Sequence, residues 1–196
     1  GITMSELRER MNRDLKLAGL KEDKKDGKGG TDQVYYSFGG SFLENDGFTT
    51  AAPRLGNVES DGFRNGNLSG RFGWLLNDTT DVDLVVRYTD AEAQIDGFLF
   101  PTGPVDDLQR KLKNESFVLR TQARTEMCDG ALEQKVGFNY SHFNRRDTNP
   151  DSFGTSAFDG ETAKFDWQAN VVLHETARVR SVLTTGLDYL VENASS

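Results

Sequence analysis

The stretch Arg71–Asp90, RFGWLLNDTTDVDLVVRYTD, decides the fold. Phe72, Trp74 and Leu76 alternate with Arg71, Gly73 and Leu75. After the polar break Asn77-Asp78-Thr79-Thr80, the residues Val82, Leu84, Val86 and Tyr88 alternate with Asp83, Val85, Arg87 and Thr89. Successive side chains of an extended chain point to opposite faces, so this is the pattern of a hairpin with one continuous apolar face. The other face carries Arg and Asp.

The same period of two recurs on both sides of it. Gln33–Phe42 puts Val34, Tyr36, Phe38 and Phe42 against Tyr35, Ser37, Gly39 and Ser41. Downstream, Phe117, Leu119, Thr121, Ala123 and Thr125 oppose Val118, Arg120, Gln122, Arg124 and Glu126. Val136, Phe138 and Tyr140 oppose Gly137, Asn139 and Ser141. Phe165, Trp167, Ala169, Val171 and Leu173 oppose Asp166, Gln168 and Asn170, and Leu183, Leu187 and Tyr189 oppose Thr184, Gly186 and Asp188. The pattern predicts seven strands of about ten residues each. Long polar segments (43–67, 91–115 and 144–162) follow the first, third and fifth, and short breaks follow the second, fourth and sixth.

Alternating long and short connections fit an up-and-down outer-membrane barrel, which has short turns at one end and long loops at the other. A soluble β-sandwich with an aromatic core accounts for the strand pattern equally well. Composition does not separate the two. The chain has 196 residues, 28% of them charged, a mean hydropathy of −0.60 and a formal net charge of −8. No run approaches the ~18 apolar residues of a spanning helix, but barrel strands dilute the hydropathy signal by alternation. The acidic balance argues against a broad nucleic-acid surface, and no nucleic-acid partner is expected. The lone cysteine, Cys128, excludes an internal disulfide framework.

Three segments, GKGGTDQVYYSFGGSF from Gly27, DGFRNGNLSGRFGWLLNDTTDVDLVVRYTDAEAQIDGF from Asp61, and FDGETAKFDWQANVVLHETARVRSVLTTGLDYLVE from Phe158, resemble the early barrel of TonB-dependent outer-membrane receptors. The likeness is greatest to the cobalamin and siderophore branch and covers about Gly27 to Ser196. It implies a transport protein, not an enzyme, of the outer membrane of a Gram-negative bacterium. Its partners would be membrane lipid, a small-molecule nutrient or metal chelate, and the TonB energy-coupling complex acting through a plug. Such barrels use ~22 strands around a plug, and single-chain bacterial barrels have even strand numbers. With seven strands, no segment read as a plug and no secretion signal, the chain reads as a piece of a receptor gene truncated at both ends.

On that reading the fold is all-β: an antiparallel meander at 33–196, part of a transmembrane barrel, preceded by one short helix. Arg71, Arg87, Arg120, Arg124, Asp166 and Gln168 are expected to face the lumen. Phe72, Trp74, Leu84, Val86, Phe165, Trp167 and Leu187 are expected to face lipid. A one-residue slip in register would exchange the two sets.

Residues 1–32 read as an amphipathic helix and a charged linker. Met4, Leu7, Met11, Leu15 and Ala18 recur at helical spacing, Thr3 and Glu6 are placed as a capping box, and KEDKKDGKGG from Lys21 reads as a solvated linker. MSELRERMNRDLKLAGLKED, from Met4, is similar to the opening helix of the DNA-binding domain of tyrosine recombinases. The recombinase Arg, His and Tyr catalytic set is not recognisable downstream.

Other chemistry is sparse. His142 and His174 sit on or beside different strands, and Cys128 falls in a turn with Asp129 and Gly130. The repeated Asp-Gly-Phe at Asp46, Asp61 and Asp96 is turn chemistry first. In the resembled family, external loops bind calcium, which makes Glu44, Asp46, Glu59 and Asp61 candidate oxygen ligands for a hard cation. No resident cofactor is expected.

Overall fold

The computed structural model describes residues 25–47, 60–101, 103–107, 109–150, 154–176 and 179–196. The expected N-terminal helix lies outside them. Among the described residues ten strands form: β1 (Lys25–Gly30), β2 (Val34–Asn45), β3 (Phe63–Asn77), β4 (Thr80–Gln94), β5 (Gly97–Leu99), β6 (Gly103–Val105), β7 (Lys111–Met127), β8 (Leu132–Asn149), β9 (Gly154–Glu175) and β10 (Arg180–Ser195). Eight of them make one antiparallel sheet in the order β1-β2-β3-β4-β7-β8-β9-β10, and β5 and β6 pair as a separate hairpin. The long strands are an uninterrupted meander in chain order.

The short connections are built from turn residues. Between β7 and β8, Cys128 and Asp129 both adopt positive φ (55° and 53°) and Gly130 follows at 84°. The Gly130 amide donates to the Met127 carbonyl at 3.2 Å and the Ala131 amide to that of Cys128 at 3.0 Å. Between β3 and β4 the Asn77 side chain accepts from the Thr79 amide at 2.9 Å, closing an Asx turn. Cys128 therefore serves the hairpin's backbone geometry and is exposed.

Three features differ from the sequence reading. The sheet has eight strands, because Lys25–Gly30, read as linker, pairs with Gly40 to Tyr35 of β2. Backbone groups make that ladder, so a glycine- and charge-rich segment joins it without an apolar signature. The segment 144–162 is mostly strand: β8 runs to Asn149 and β9 starts at Gly154, with Asn144 opposite Asp159 and Asn149 opposite Gly154. There β8 is polar on both faces and β9 carries only Ala157 and Phe158 as apolar residues, adjacent in sequence, which hides a strand from a search for apolar period two. The loop between β4 and β7 contains the hairpin β5–β6.

The sheet is open. Each strand touches only its ladder neighbours, and the terminal strands β1 and β10 do not meet. Among the described residues, Tyr35 and Ala169 are the buried hydrophobics, and no large side chain is fully buried. A sandwich would pack its aromatics between two sheets, whereas these described residues form a single layer with both faces uncovered.

Candidate functional site

Register assigns every strand residue to a face. Across β3, β4, β7, β8 and β9, Arg71, Val85, Arg120, Asn139 and Lys164 stand in one row, and Gly73, Asp83, Gln122, Gly137 and Asp166 in the next. Arg124 and Gln168 lie in the row beyond, opposite Lys135 of β8, and Arg87 stands opposite Ser69 and Val118. All six polar site residues expected from sequence thus share one face.

That face is laced by ion pairs between strands. Arg71 Nε donates to Asp83 Oδ1 at 2.8 Å, and its guanidinium lies 5.7 Å from the centroid of the Tyr35 ring. Arg120 crosses the intervening strand β8 to Asp166, donating from Nη1 at 2.6 Å and Nη2 at 3.0 Å. Gly137 makes that crossing possible: a Cβ there would stand 2.5 Å from Arg120 Nη2 and 2.6 Å from Asp166 Oδ2. Arg124 pairs with Asp81, Glu126 and Glu133. Glu133 also accepts from Lys135 at 3.0 Å and from Asn170 at 2.7 Å, and Gln168 donates to Asn170 at 3.0 Å. Arg87 makes no ion pair among the described residues. Sequence reasoning chose the cations and missed most of their partners, because partnership depends on register between strands distant in the chain.

The opposite face is apolar over a defined height. Phe72, Leu84, Thr121, Phe138, Phe165 and Tyr189 stand in one row, and Trp74, Val82, Ala123, Val136, Trp167 and Leu187 in the next but one. Val86 joins them two residues along β4, opposite Gly70 and Leu119. Phe72, Trp74, Phe165 and Leu187 are exposed. On β7 that face runs Phe117, Leu119, Thr121, Ala123, Thr125, Met127, which at ~3.4 Å per residue is about 34 Å along the strand. Tilted by 35–45°, as barrel strands are, it stands about 24–28 Å tall, against a ~25 Å apolar band for outer-membrane barrels.

Beyond the band, toward the long connections, the same face becomes charged. Asp90, Glu115, Asn144 and Asp159 form one row, and Arg64, Glu92, Lys113 and Arg146 the next. Lys113 lies 2.7 Å from Glu115 and its hydrogen bond holds the Glu115 carboxyl below the usual range. Asp159 is likewise lowered by hydrogen bonds from Asn144 (3.0 Å) and His142 (2.9 Å). Higher still, Arg110 ties the β5–β6 loop to β8. Its Nε and Nη2 donate to the two Asp147 oxygens at 3.3 and 3.0 Å, and its Nη1 donates to the Asp96 carbonyl at 3.1 Å. The Asp147 hydrogen bond raises the Arg110 pKa above its ordinary value.

Of the candidate cation ligands, Glu44 stands opposite Arg64 at the end of β2. Asp46 and Asp61 lie where the two chain ends of the first long connection meet: a Cβ on Gly47 would fall 1.8 Å from the Asp61 carbonyl oxygen. Glu59 lies outside the described residues, among which no group of three His, Cys, Asp or Glu side chains comes together. His174 stands opposite Ser181 near the β9–β10 turn, far along the strand from His142.

An antiparallel meander with an apolar band on one face and a cross-strand ion network on the other has the form of a β-barrel wall segment. Its fold is similar to that of the siderophore receptor PirA from Acinetobacter baumannii, with a TM-score of 0.61 and 14% sequence identity over 86% of this chain. The match covers 26% of that receptor, so the chain spans about a quarter of its length. The likeness is one of fold. No protein-family model and no curated protein matches the chain.

Proposed function

We propose that this chain is part of the barrel wall of a TonB-dependent outer-membrane receptor that takes up a scarce nutrient such as a siderophore or cobalamin chelate. The apolar face, carrying Phe72, Trp74, Leu84, Val86, Phe165, Trp167 and Leu187, contacts lipid. The face of Arg71, Arg87, Arg120, Arg124, Asp166 and Gln168 lines the wet interior. The long connections lie on the external side, where substrate arrives, and the energy-coupling complex acts through the plug of the whole receptor. The protein moves its cargo without transforming it.

One observation carries this reading: the face of Phe72, Trp74, Leu84, Val86 and Phe117 on β3, β4 and β7 turns to charge at the row of Asp90 and Glu115, and on β8 and β9 one row earlier, at His142 and Glu161. The ion network supports a hydrated interior, because paired charges are tolerated where water or partners solvate them. Size-exclusion chromatography with light scattering is the test. A monodisperse species in detergent and aggregation without it is expected, since exposed aromatics and two open sheet edges both favour association in water. A stable monomer without detergent would overturn the reading.

A further inference from the structure

The polar face changes character along its height. Nearer the short turns, Arg71, Arg120 and Arg124 are each paired with a carboxylate. Toward the long connections, three successive rows cross β2, β3, β4, β7, β8 and β9. They run from Gly39 through Arg87 to Thr162, from Ser41 through Ser116 to Gly160, and from Leu43 through Ala91 to Phe158. Across those six strands no Asp or Glu stands in any of the three rows. Asp26 on β1 and Glu192 on β10 extend the first row, three and four strands from Arg87. Asp147, two residues beyond Arg145, is taken by Arg110. The polar members of the rows are mostly hydroxyls and amides that bond one another: Thr89 donates to Asn67 Oδ1 at 2.9 Å, and Asn67 Nδ2 to Ser41 Oγ at 3.4 Å.

The two charges in these rows are Arg87 and Arg145. Both are exposed, and neither makes an ion pair among the described residues. A guanidinium without a carboxylate presents its whole fork of donors to an anion, which it can hold by two parallel bonds. Three rows free of carboxylates make a locally positive surface on a chain whose formal net charge is −8. Beside Arg145 lies an aromatic pair: Phe143 and Phe158 have ring centroids 6.3 Å apart at 55° and are 39% and 45% exposed. Gly160, opposite Phe143, gives Phe158 room, since a Cβ there would stand 3.4 Å from its ring. Exposed rings on a wet face belong to no core and offer a stacking surface. Arg87 and Arg145 lie two strands and four residues apart, roughly 17 Å between backbones, and Phe143 stands between them in height.

We infer that these rows are a binding surface for a small anion with flat aromatic rings, gripped by Arg87 and Arg145 and stacked on Phe143 and Phe158. For a receptor this makes the cargo a negatively charged, ring-bearing metal chelate and not a neutral or cationic one. The inference rests on the reading of this face as the wet interior with the long connections external, and gives the cargo of that reading a charge and a shape.

Three ferric complexes serve as probes: a hexadentate tris-catecholate, anionic with flat rings; EDTA, anionic without rings; and a hexadentate tris-hydroxamate, neutral without rings. High-spin ferric iron broadens the NMR signals of nearby amides, so titrating each into the full chain in non-ionic detergent reports where it sits. With the tris-catecholate, broadening is expected to be several-fold greater at Ser116, Phe143, Arg145 and Phe158 than at Arg120, Gln134 and Asp166. EDTA should show a smaller excess and the tris-hydroxamate none. Arg87→Gln with Arg145→Gln should remove the excess for both anions, and Phe143→Ser with Phe158→Ser should bring the tris-catecholate down to the level of EDTA. Equal broadening by all three complexes, or an excess centred on Arg71 and Arg120, would overturn the surface and leave the barrel-wall reading standing. Preferential broadening of the Trp74 and Trp167 indole N–H signals, which detergent should cover, would overturn both.

Discussion

Arg120 and Asp166 form a two-pronged ion pair across an intervening strand, with donor–acceptor distances of 2.6 and 3.0 Å, over a glycine that gives them room. Alanine in a strand interior is normally more stabilising than glycine by roughly 0.5–1 kcal/mol. Gly137→Ala should fail to deliver that gain, because its methyl group displaces the two prongs. Gly70→Ala, where space is open, should deliver it. Urea unfolding in detergent compares them. Asp166→Asn should cost about 1 kcal/mol, since the pair is partly exposed. Added to Gly137→Ala, it should cost less than it does alone. Strict additivity of the two would mean that Gly137 does not serve the pair.

A charge on the apolar face should cost far more than one on the polar face. Leu84 stands near mid-height of the band, opposite Phe72 and Thr121. Leu84→Arg is expected to destabilise the protein in lipid vesicles by about 2–4 kcal/mol, as for arginine at the midplane of a barrel. Thr162→Arg, on the polar face opposite Ser141 and Glu192, should change stability by less than about 1 kcal/mol. Similar costs at both positions would contradict the assignment of faces.

The charged rows beyond the band should loosen in acid. Glu115 and Asp159 both have lowered carboxyl pKa values, Glu115 through Lys113 and Asp159 through Asn144 and His142. A carboxyl lowered by folding contributes stability above its unfolded value, and that stability is lost as pH falls through the folded value. The window therefore lies below the ordinary carboxylates, near pH ~4. Amide-exchange protection of 144–149, corrected for intrinsic rates, should fall there while that of 117–125 holds. Asp159→Asn should remove part of the acid sensitivity.

Releasing Arg110 from Asp147 should free the β5–β6 loop and little else. Asp147→Ala removes both guanidinium contacts to β8. Faster proteolytic cleavage between Gly97 and Val105 is expected, with global unfolding altered by less than about 1 kcal/mol, as befits a partly exposed pair. Unchanged cleavage would show that Arg110's bond to the Asp96 carbonyl suffices to hold the loop.

Strand order and faces were legible wherever an apolar residue recurred at every second position, as from Phe72 to Tyr88 and from Phe165 to Leu173. β1 was not, because Lys25–Gly30 joins the sheet through its backbone ladder, and its residues read as a solvated linker. Nor was the outer part of β8: Asn144, Arg146 and Thr148 alternate with Arg145 and Asp147, so no side chain marks a face. The polar site was half visible. Arg71, Arg120 and Arg124 stood out by type, but Asp83, Asp81 and Glu133 became partners only through register. Gly137 carried the available hint, a glycine inside an otherwise aromatic strand, which often marks a close approach by another group.

The chain contains two tryptophans, Trp74 and Trp167, and register puts both on the apolar face. Fluorescence quenching in vesicles therefore reports on that face without substitution. Lipids brominated along the acyl chain are expected to quench both tryptophans strongly and aqueous iodide to quench them weakly, in the full chain and in the Trp74→Phe and Trp167→Phe variants alike. Strong quenching by iodide with none by brominated lipid would contradict the account.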